Sequence, residues 1–328
     1  MAKARHQLRQ RVAKAYNGVA ERLARKAWAA CERFDTEDGD ALHDFRVTVR
    51  RLRTHLATLS GQFGGERAKR LRKQLSDLVV ATNTSRDYEI QRRWLEHQLH
   101  SGRISPLQRE GLQLILNEIR PAGEGQAELE PIKQGFAKLD KKLRKRHWSV
   151  RAGGKRMSDD SVAAATRAAL RKHSAKLRTQ LAEMQSVDSV EATHRARLAT
   201  KRLRYILEPL AAAVPGVREV LSELKAMQER LGELRDRQIL AKRVPGAAQT
   251  AATLEHYPVE ETGGGDAPTA TTTAPRLALH THARKALEAG LDHVRREASY
   301  HFAVVQDRWL GDNAARLLGR IEDIAAAL

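Results

Sequence analysis

The 328-residue sequence has little cysteine, few aromatic residues and long stretches without proline. Its one cysteine, Cys31, excludes internal disulfides and all-cysteine zinc sites, and it fits a reducing compartment. No run of 18 or more apolar residues occurs, so no membrane-inserted helix is expected. Residues Met1 to Lys14 are basic and lack the apolar centre of a secretory signal, which makes the cytoplasm the expected location. Aromatics are only 4% of the chain, which argues against a stacking platform for single-stranded nucleic acid. Acidic residues are outnumbered, with 40 Asp+Glu against 59 Lys+Arg and a net charge of +19. The hydrophobic fraction of 41% is enough for a real core and excludes a wholly disordered basic tail. What remains is a strongly cationic globular chain, and that charge points to a polyanionic partner.

Proline is absent from residues 1–105, 132–208 and 276–328. Proline is costly inside helices, so these stretches are free to be helical, and they are rich in Ala, Leu, Arg, Lys, Glu and Gln. Helical apolar spacing recurs, as in Leu71, Leu75, Leu78 and Val79, whereas period-two alternation is hard to find. The fold class is read as all-α. Breaks are expected at Asp35–Asp40, Gly61–Gly65, Pro121–Pro131 and Gly153–Gly154. Residues 244–275 hold four of the nine prolines, a Gly263–Gly265 run and a Thr/Ala-rich tail, and are read as a flexible insertion before a last helical stretch from Arg276.

The sequence also repeats itself. His43-Asp-Phe-Arg46-Val-Thr-Val-Arg50-Arg51-Leu-Arg53 returns 151 residues later as His194-Arg-Ala-Arg197-Leu-Ala-Thr-Lys201-Arg202-Leu-Arg204. The shared pattern is H-x-x-R-x-x-x-[KR]-R-L-R. Arg86-Asp87 follows His43 by 43 residues, and Arg235-Asp236 follows His194 by 41. Two matches in the same order imply a duplication, with repeats at 1–155 and 156–328. On a helix, His43, Arg46, Arg50 and Arg53 fall within an arc of about 80°, beside an apolar stripe of Leu42, Phe45, Val49, Leu52 and Leu56 centred about 100° away. The second copy sets His194, Arg197, Lys201 and Arg204 beside Ala196, Leu203 and Leu207, and Arg51 and Arg202 are expected to point elsewhere.

A charge run on a helix is usually a solvated face, but solvation gives no reason for His, Arg and Lys to recur at fixed offsets without acidic partners at i+4. Two such rows facing each other make a cationic groove, in which Arg offers a planar fork to phosphate oxygens and Lys a compact charge. Asp40 reads as the N-cap of the first motif helix, and Asp188 with Glu191 as a capping box for the second. A helix N-terminus disfavours imidazolium, so His43 and His194 are read either as neutral donors to an anion or as structural histidines bonded to nearby backbone. Asp87 and Asp236 either anchor motif arginines or form ordinary surface pairs. Further basic clusters at 67–73 and 138–146 spread around their helices and add to the long-range field.

These motifs resemble those of the CHAD family, the conserved histidine α-helical domain. The resemblance rests on both copies of the pattern, on the continuation Tyr205-Ile-Leu-Glu208, and on Leu231-Gly232-Glu-Leu-Arg235-Asp236 with Lys225 and Gln228 before it. It covers essentially the whole chain and implies one domain over 1–328. The implied fold is two four-helix bundles related by a pseudo-two-fold axis around a basic central groove or pore. It implies non-catalytic binding of inorganic polyphosphate, with polyphosphate granules as a location in some members. Carried over to this sequence, the anion site comprises His43, Arg46, Arg50, Arg51, Arg53, His194, Arg197, Lys201, Arg202 and Arg204, with Arg86, Lys225 and Arg235. The sequence departs from the family at Thr82-Asn83-Thr84-Ser85, where a Leu-Gly pair is expected, and in the 244–275 insertion. No E-x-E-x-K motif of the family's triphosphate-tunnel partner domain is present, Glu128-Leu-Glu130-Pro-Ile-Lys133 having the wrong spacing.

Other classes are weighed against this. A nucleic-acid-binding helical protein is the alternative, since the charge serves it equally, but no basic-zipper or zinc-finger pattern occurs. A phosphohydrolase would need a P-loop, an Arg-His-Gly motif, a His/Asp metal cluster or paired carboxylates at metal spacing. None of these is found, and His280 and His282 form an isolated H-x-H. Basic amphipathic stretches such as 1–28 could lie on an anionic lipid surface, but core-facing helices have the same pattern. No cofactor, no metal and no catalysis are expected.

Overall fold

A computed structural model describes residues 2–16, 18–35, 40–63, 66–80, 86–119, 129–144, 151–152, 155–156, 158–254 and 273–328. Among the described residues the chain is helical apart from one minimal antiparallel ladder, Arg151–Ala152 against Lys155–Arg156, at the midpoint where the sequence places a break. The helices before it are α1 (Ala2–Tyr16), α2 (Val19–Glu32), α3 (Ala41–Phe63), α4 (Glu66–Val80), α5 (Arg86–His100), α6 (Pro106–Glu118) and α7 (Leu129–Arg144). Those after it are α8 (Asp159–Ala182), α9 (Val190–Leu207), α10 (Val217–Leu254), α11 (Thr273–Trp309) and α12 (Asp312–Ala327). Among the described residues no helix is long and apolar enough to cross a membrane.

Local chemistry sets several ends. Gly18 separates α1 from α2 with φ at 71°, in the left-handed region that glycine enters without a Cβ penalty, and this break is not evident from the sequence pattern. At α6, Ser105 and Gln108 form a reciprocal capping box with Pro106 in the first turn. Helix α3 starts directly after Asp40, whose carbonyl accepts the Asp44 N–H at 2.9 Å. The second motif helix differs from expectation. Its N-cap is Ser189, not Asp188, because residues 186–189 close a turn in which the Ser189 hydroxyl accepts the Ser186 N–H at 3.2 Å. The segment read as an insertion is also partly helical: 244–254 continue α10 and 273–275 open α11, while 255–272 and the Thr82–Ser85 departure lie outside the described residues.

The helices bury three apolar cores. In the first, α2, α3, α4 and α7 enclose Phe45, Val49, Leu52, Leu75 and Phe136. The rings of Phe34 and Phe136 meet Phe45 edge-on at 5.5 and 5.3 Å. Phe45, Val49 and Leu52 are stripe residues of the first motif and Leu75 belongs to the Leu71–Val79 pattern, each full burial worth roughly 1.5–3 kcal/mol. In the second, α8, α9, α10 and α12 gather Leu170, Leu177, Leu203, Leu224, Leu231 and Ile321. Helix α1 joins this second core through Val12, Ala13 and Tyr16. The Tyr16 hydroxyl donates to the Ile206 carbonyl at 2.6 Å, and its ring stacks on His55 of α3 at 5.2 Å. Packing therefore interleaves residues from both sides of the 155/156 boundary. The third core joins α5 and α6 to α10 and α11 through Leu95, Leu112, Ile115, Leu240 and Val294. Here α6 and α11 cross backbone on backbone, since a Cβ on Gly111 would stand 1.8 Å from the Ala286 carbonyl oxygen. Helix α3 also packs against α8 and α9, which brings the two motif helices together.

Candidate anion-binding site

Where α3 meets α8 and α9, with α4 alongside, the helices leave an open cavity of about 860 Å³. Helix α3 contributes Arg50, Arg53, Thr54 and Thr58; α4 contributes Arg72, Lys73, Ser76 and Asp77. Helix α8 contributes Lys172, His173 and Lys176, and α9 contributes Lys201, Arg202 and Tyr205. Eight Lys and Arg side chains face one carboxylate among the described lining residues. Alanines 57, 165, 168 and 169 line the same space, and their small side chains leave it open.

This concentration of charge is felt by the groups inside it. Arg53 is held below the ordinary arginine range, first by burial and then by Arg202, Arg50 and Arg72, with Asp77 opposing weakly. His173 is pushed down to about 4, first by burial and then by Arg202, Lys176 and Lys172. Tyr205 forms one wall and is 7% exposed. Burial raises its hydroxyl, so it is a neutral wall. The guanidinium of Arg51 lies 5.5 Å from its ring centroid and the Lys201 ammonium 5.9 Å.

The sequence-predicted residues divide among several surroundings. Arg50, Arg53, Lys201 and Arg202 line the cavity. Arg202 was expected to point elsewhere, yet α9 is turned so that Leu198, Lys201, Arg202 and Tyr205 face the space. Arg51 reaches across from α3 to Glu208 at 3.3 Å, and Arg204 approaches the same carboxylate at 3.7 Å while donating to Gln228 at 2.8 Å. Arg46 is 6% exposed and does not line the cavity. Arg197 passes over Gly232 of α10, where a Cβ would come within 3.3 Å of its Nε. Its Nε and that of Arg235 are buried without a hydrogen-bond partner among the described residues. Lys225 is exposed beside Glu229 at 3.7 Å. His43 and His194 stand in the first turns of α3 and α9, half-buried and away from the cavity. Of the downstream pairs, the Arg86 and Asp87 side chains lie outside the described residues, and the Asp236 charge acts on its neighbour Arg237. Of the isolated H-x-H, His282 pairs with Glu110 at 2.8 Å, and the His280 side chain lies outside the described residues.

The α8 wall is not evident from the repeated motif. Lys172, His173 and Lys176 belong to no repeated pattern. A signal does exist: residues 161–182 contain Arg167, Arg171, Lys172, Lys176 and Arg178 and no acid. The α4 residues Arg72 and Lys73 appear in the sequence only as part of a diffuse basic cluster.

The CHAD domain family matches residues 19–245. A crystal structure of the CHAD domain from the plant Ricinus communis is similar to this chain at 21% identity and a TM-score of 0.48, covering 88% of this chain and 91% of the other. No curated protein matches the chain.

Proposed function

Because the chain belongs to the CHAD family, we propose that it binds inorganic polyphosphate in the cavity between α3, α4, α8 and α9, without catalysis. The observation that carries this reading is that, among the described lining residues, eight cations from four helices converge on one open space with a single carboxylate. Such a convergence is repulsive in the empty protein and becomes favourable when a polyanion fills it. Arg50, Arg53, Lys201 and Arg202 are the motif residues that would hold phosphate oxygens directly, joined by Lys172, Lys176, Arg72 and Lys73. Arg51, Arg204 and Tyr205 would act by fixing α3 against α9. Arg46, which is buried, and Arg197 and Arg235, whose Nε atoms are buried, would keep the motif helices in position. His43, His194, Lys225 and Arg86 would contribute field or local structure.

The same reading takes the fold as two copies of one helical unit related by a pseudo-two-fold axis. Supporting it, α10 follows α4 by the displacement that relates His43 to His194, and the motif helices α3 and α9 meet each other. Association with cytoplasmic polyphosphate granules would be the cellular counterpart, checked by whether a fluorescent fusion coincides with granules and disperses when polymer synthesis is blocked.

The test is a binding titration of long-chain polyphosphate against a charge-reversed Arg53→Glu, Lys201→Glu double variant, with far-UV circular dichroism as the control for folding. Affinity should collapse while helicity stays. Unchanged affinity in a folded double variant overturns the reading. A nucleic-acid function lacks a specific observation in its favour, since Tyr205, the one Phe, Tyr or Trp among the described lining residues, is nearly buried. Duplex DNA should therefore lose to polyphosphate in competition at matched charge and salt.

A further inference from the structure

Among the described residues that line the cavity, His173 is the one imidazole, and it belongs to neither copy of the repeated motif. His173 sits on α8 next to Lys172 and one turn before Lys176. Its Nδ1 is buried and has no hydrogen-bond partner among the described residues. The facing walls present cations: Arg50 and Arg53 from α3, Arg72 and Lys73 from α4. Helix α9 adds Lys201 and Arg202. Among the described lining residues the one opposing charge is Asp77 of α4, and the Tyr205 hydroxyl is neutral. A second proton on this ring would add another positive charge to the cluster, with no acceptor waiting for it. Burial, Arg202, Lys176 and Lys172 accordingly hold the ring down at about 4, so it is neutral in the empty protein.

A polyanion reverses each of these conditions, because it neutralises the surrounding cations and supplies oxygens that accept the ring N–H groups. We propose that His173 is a ligand-contacting residue of this site, and that binding of a phosphate polymer in the cavity is coupled to uptake of a proton by its imidazole. The proposal rests on the reading of the cavity as a polyphosphate site and deepens it. The site then loads on acidification and unloads as pH rises.

The direction follows from linkage. If the anion favours the imidazolium, the His173 pKa is higher in the complex than in the free protein, and protonation tightens binding by the same factor. Between those two pKa values affinity climbs as pH falls, by at most about tenfold per pH unit for one proton. His43 and His194 do not line the cavity, so this dependence belongs to His173. Terminal phosphates of the polymer also titrate, and that contribution is common to wild type and variants.

The experiment is isothermal titration calorimetry of long-chain polyphosphate into the full chain at pH 7.5, 6.5 and 5.5. Each pH is run in buffers of different ionisation enthalpy, which counts protons taken up, and His173→Gln is run alongside. Wild type should take up more protons than His173→Gln at pH 5.5, by up to one per site, and gain more affinity between pH 7.5 and 5.5. Equal proton counts and parallel pH profiles overturn the proposal while leaving polyphosphate binding intact. Absence of wild-type binding at every pH overturns the polyphosphate reading, and this one with it. Should His173→Gln fail to fold, the wild-type imidazole resonance decides: its titration midpoint must rise when polymer is added, and an unmoved midpoint refutes the coupling.

Discussion

A site built from converging cations should be less stable than it could be, and Arg53 is the residue where this shows. Its guanidinium is half-buried, depressed first by desolvation and then by Arg202, Arg50 and Arg72. Methionine keeps the unbranched stem and a similar helix propensity, so Arg53→Met removes the charge with little change in packing. Solvent screening at a half-exposed group limits the gain to about 0.5–1 kcal/mol, or roughly 1–2 °C in Tm for a chain of this size. Binding should move the other way. One lost phosphate contact costs about 1–2 kcal/mol, a five- to thirtyfold loss of affinity. Eight cavity cations place the wild type where affinity falls by about 10³–10⁵ between 50 and 200 mM salt, and the variant should lose about 0.7–0.9 from the log–log slope. Fluorescence anisotropy of end-labelled polyphosphate over a salt series gives the slope, and a thermal melt without ligand gives the stability. A variant that melts lower, or one that keeps the wild-type slope, would refute the reasoning.

Two further outcomes follow from the packing. Gly111→Ala places a methyl group 1.8 Å from the Ala286 carbonyl where α6 crosses α11, so the third core must separate. The expected loss is about 1–3 kcal/mol, read as a lower denaturant midpoint at unchanged slope; an unaltered midpoint contradicts the close crossing. His55 is buried beneath Tyr16, and burial followed by the Arg22 charge pushes it down to about 3. Its unfolded form binds protons first as pH falls from about 6.5, so stability declines on acidification by about 2 kcal/mol between pH 6.5 and 5. His55→Phe, which keeps an aromatic ring against Tyr16, should flatten that decline in urea titrations at each pH, and an equally steep acid limb would show that His55 is not its source.

Much of this architecture can be read from the residues, and the gaps have definable physical causes. The stripe Phe45, Val49 and Leu52 is buried as its period requires, as are Leu75 and Val79. Period alone locates a helix's apolar face, but not how the helix is rotated against neighbours distant in sequence. For that reason the wheel groups Arg46 with Arg50 and Arg53, whereas the structure buries Arg46 and brings in Arg202. The α8 wall was illegible to a repeat search because Lys172, His173 and Lys176 have no counterpart pattern, although their acid-free stretch marks the helix as unusual. The Gly18 break and the seating of α1 in the second core depend on tertiary contacts such as Tyr16 to Ile206, which no local pattern encodes. Proline misled in the opposite sense: Pro245 suggested a loop, yet α10 continues through it to Leu254.

The proposed polyphosphate site is the α3–α4–α8–α9 cavity. The most direct measurement is a crystal structure of the full chain with bound polyphosphate. Phosphate density should run through the cavity within hydrogen-bond distance of Arg53, Lys172, Lys201 and Arg202. An ordered polymer on another surface, with this cavity left empty, would contradict that placement.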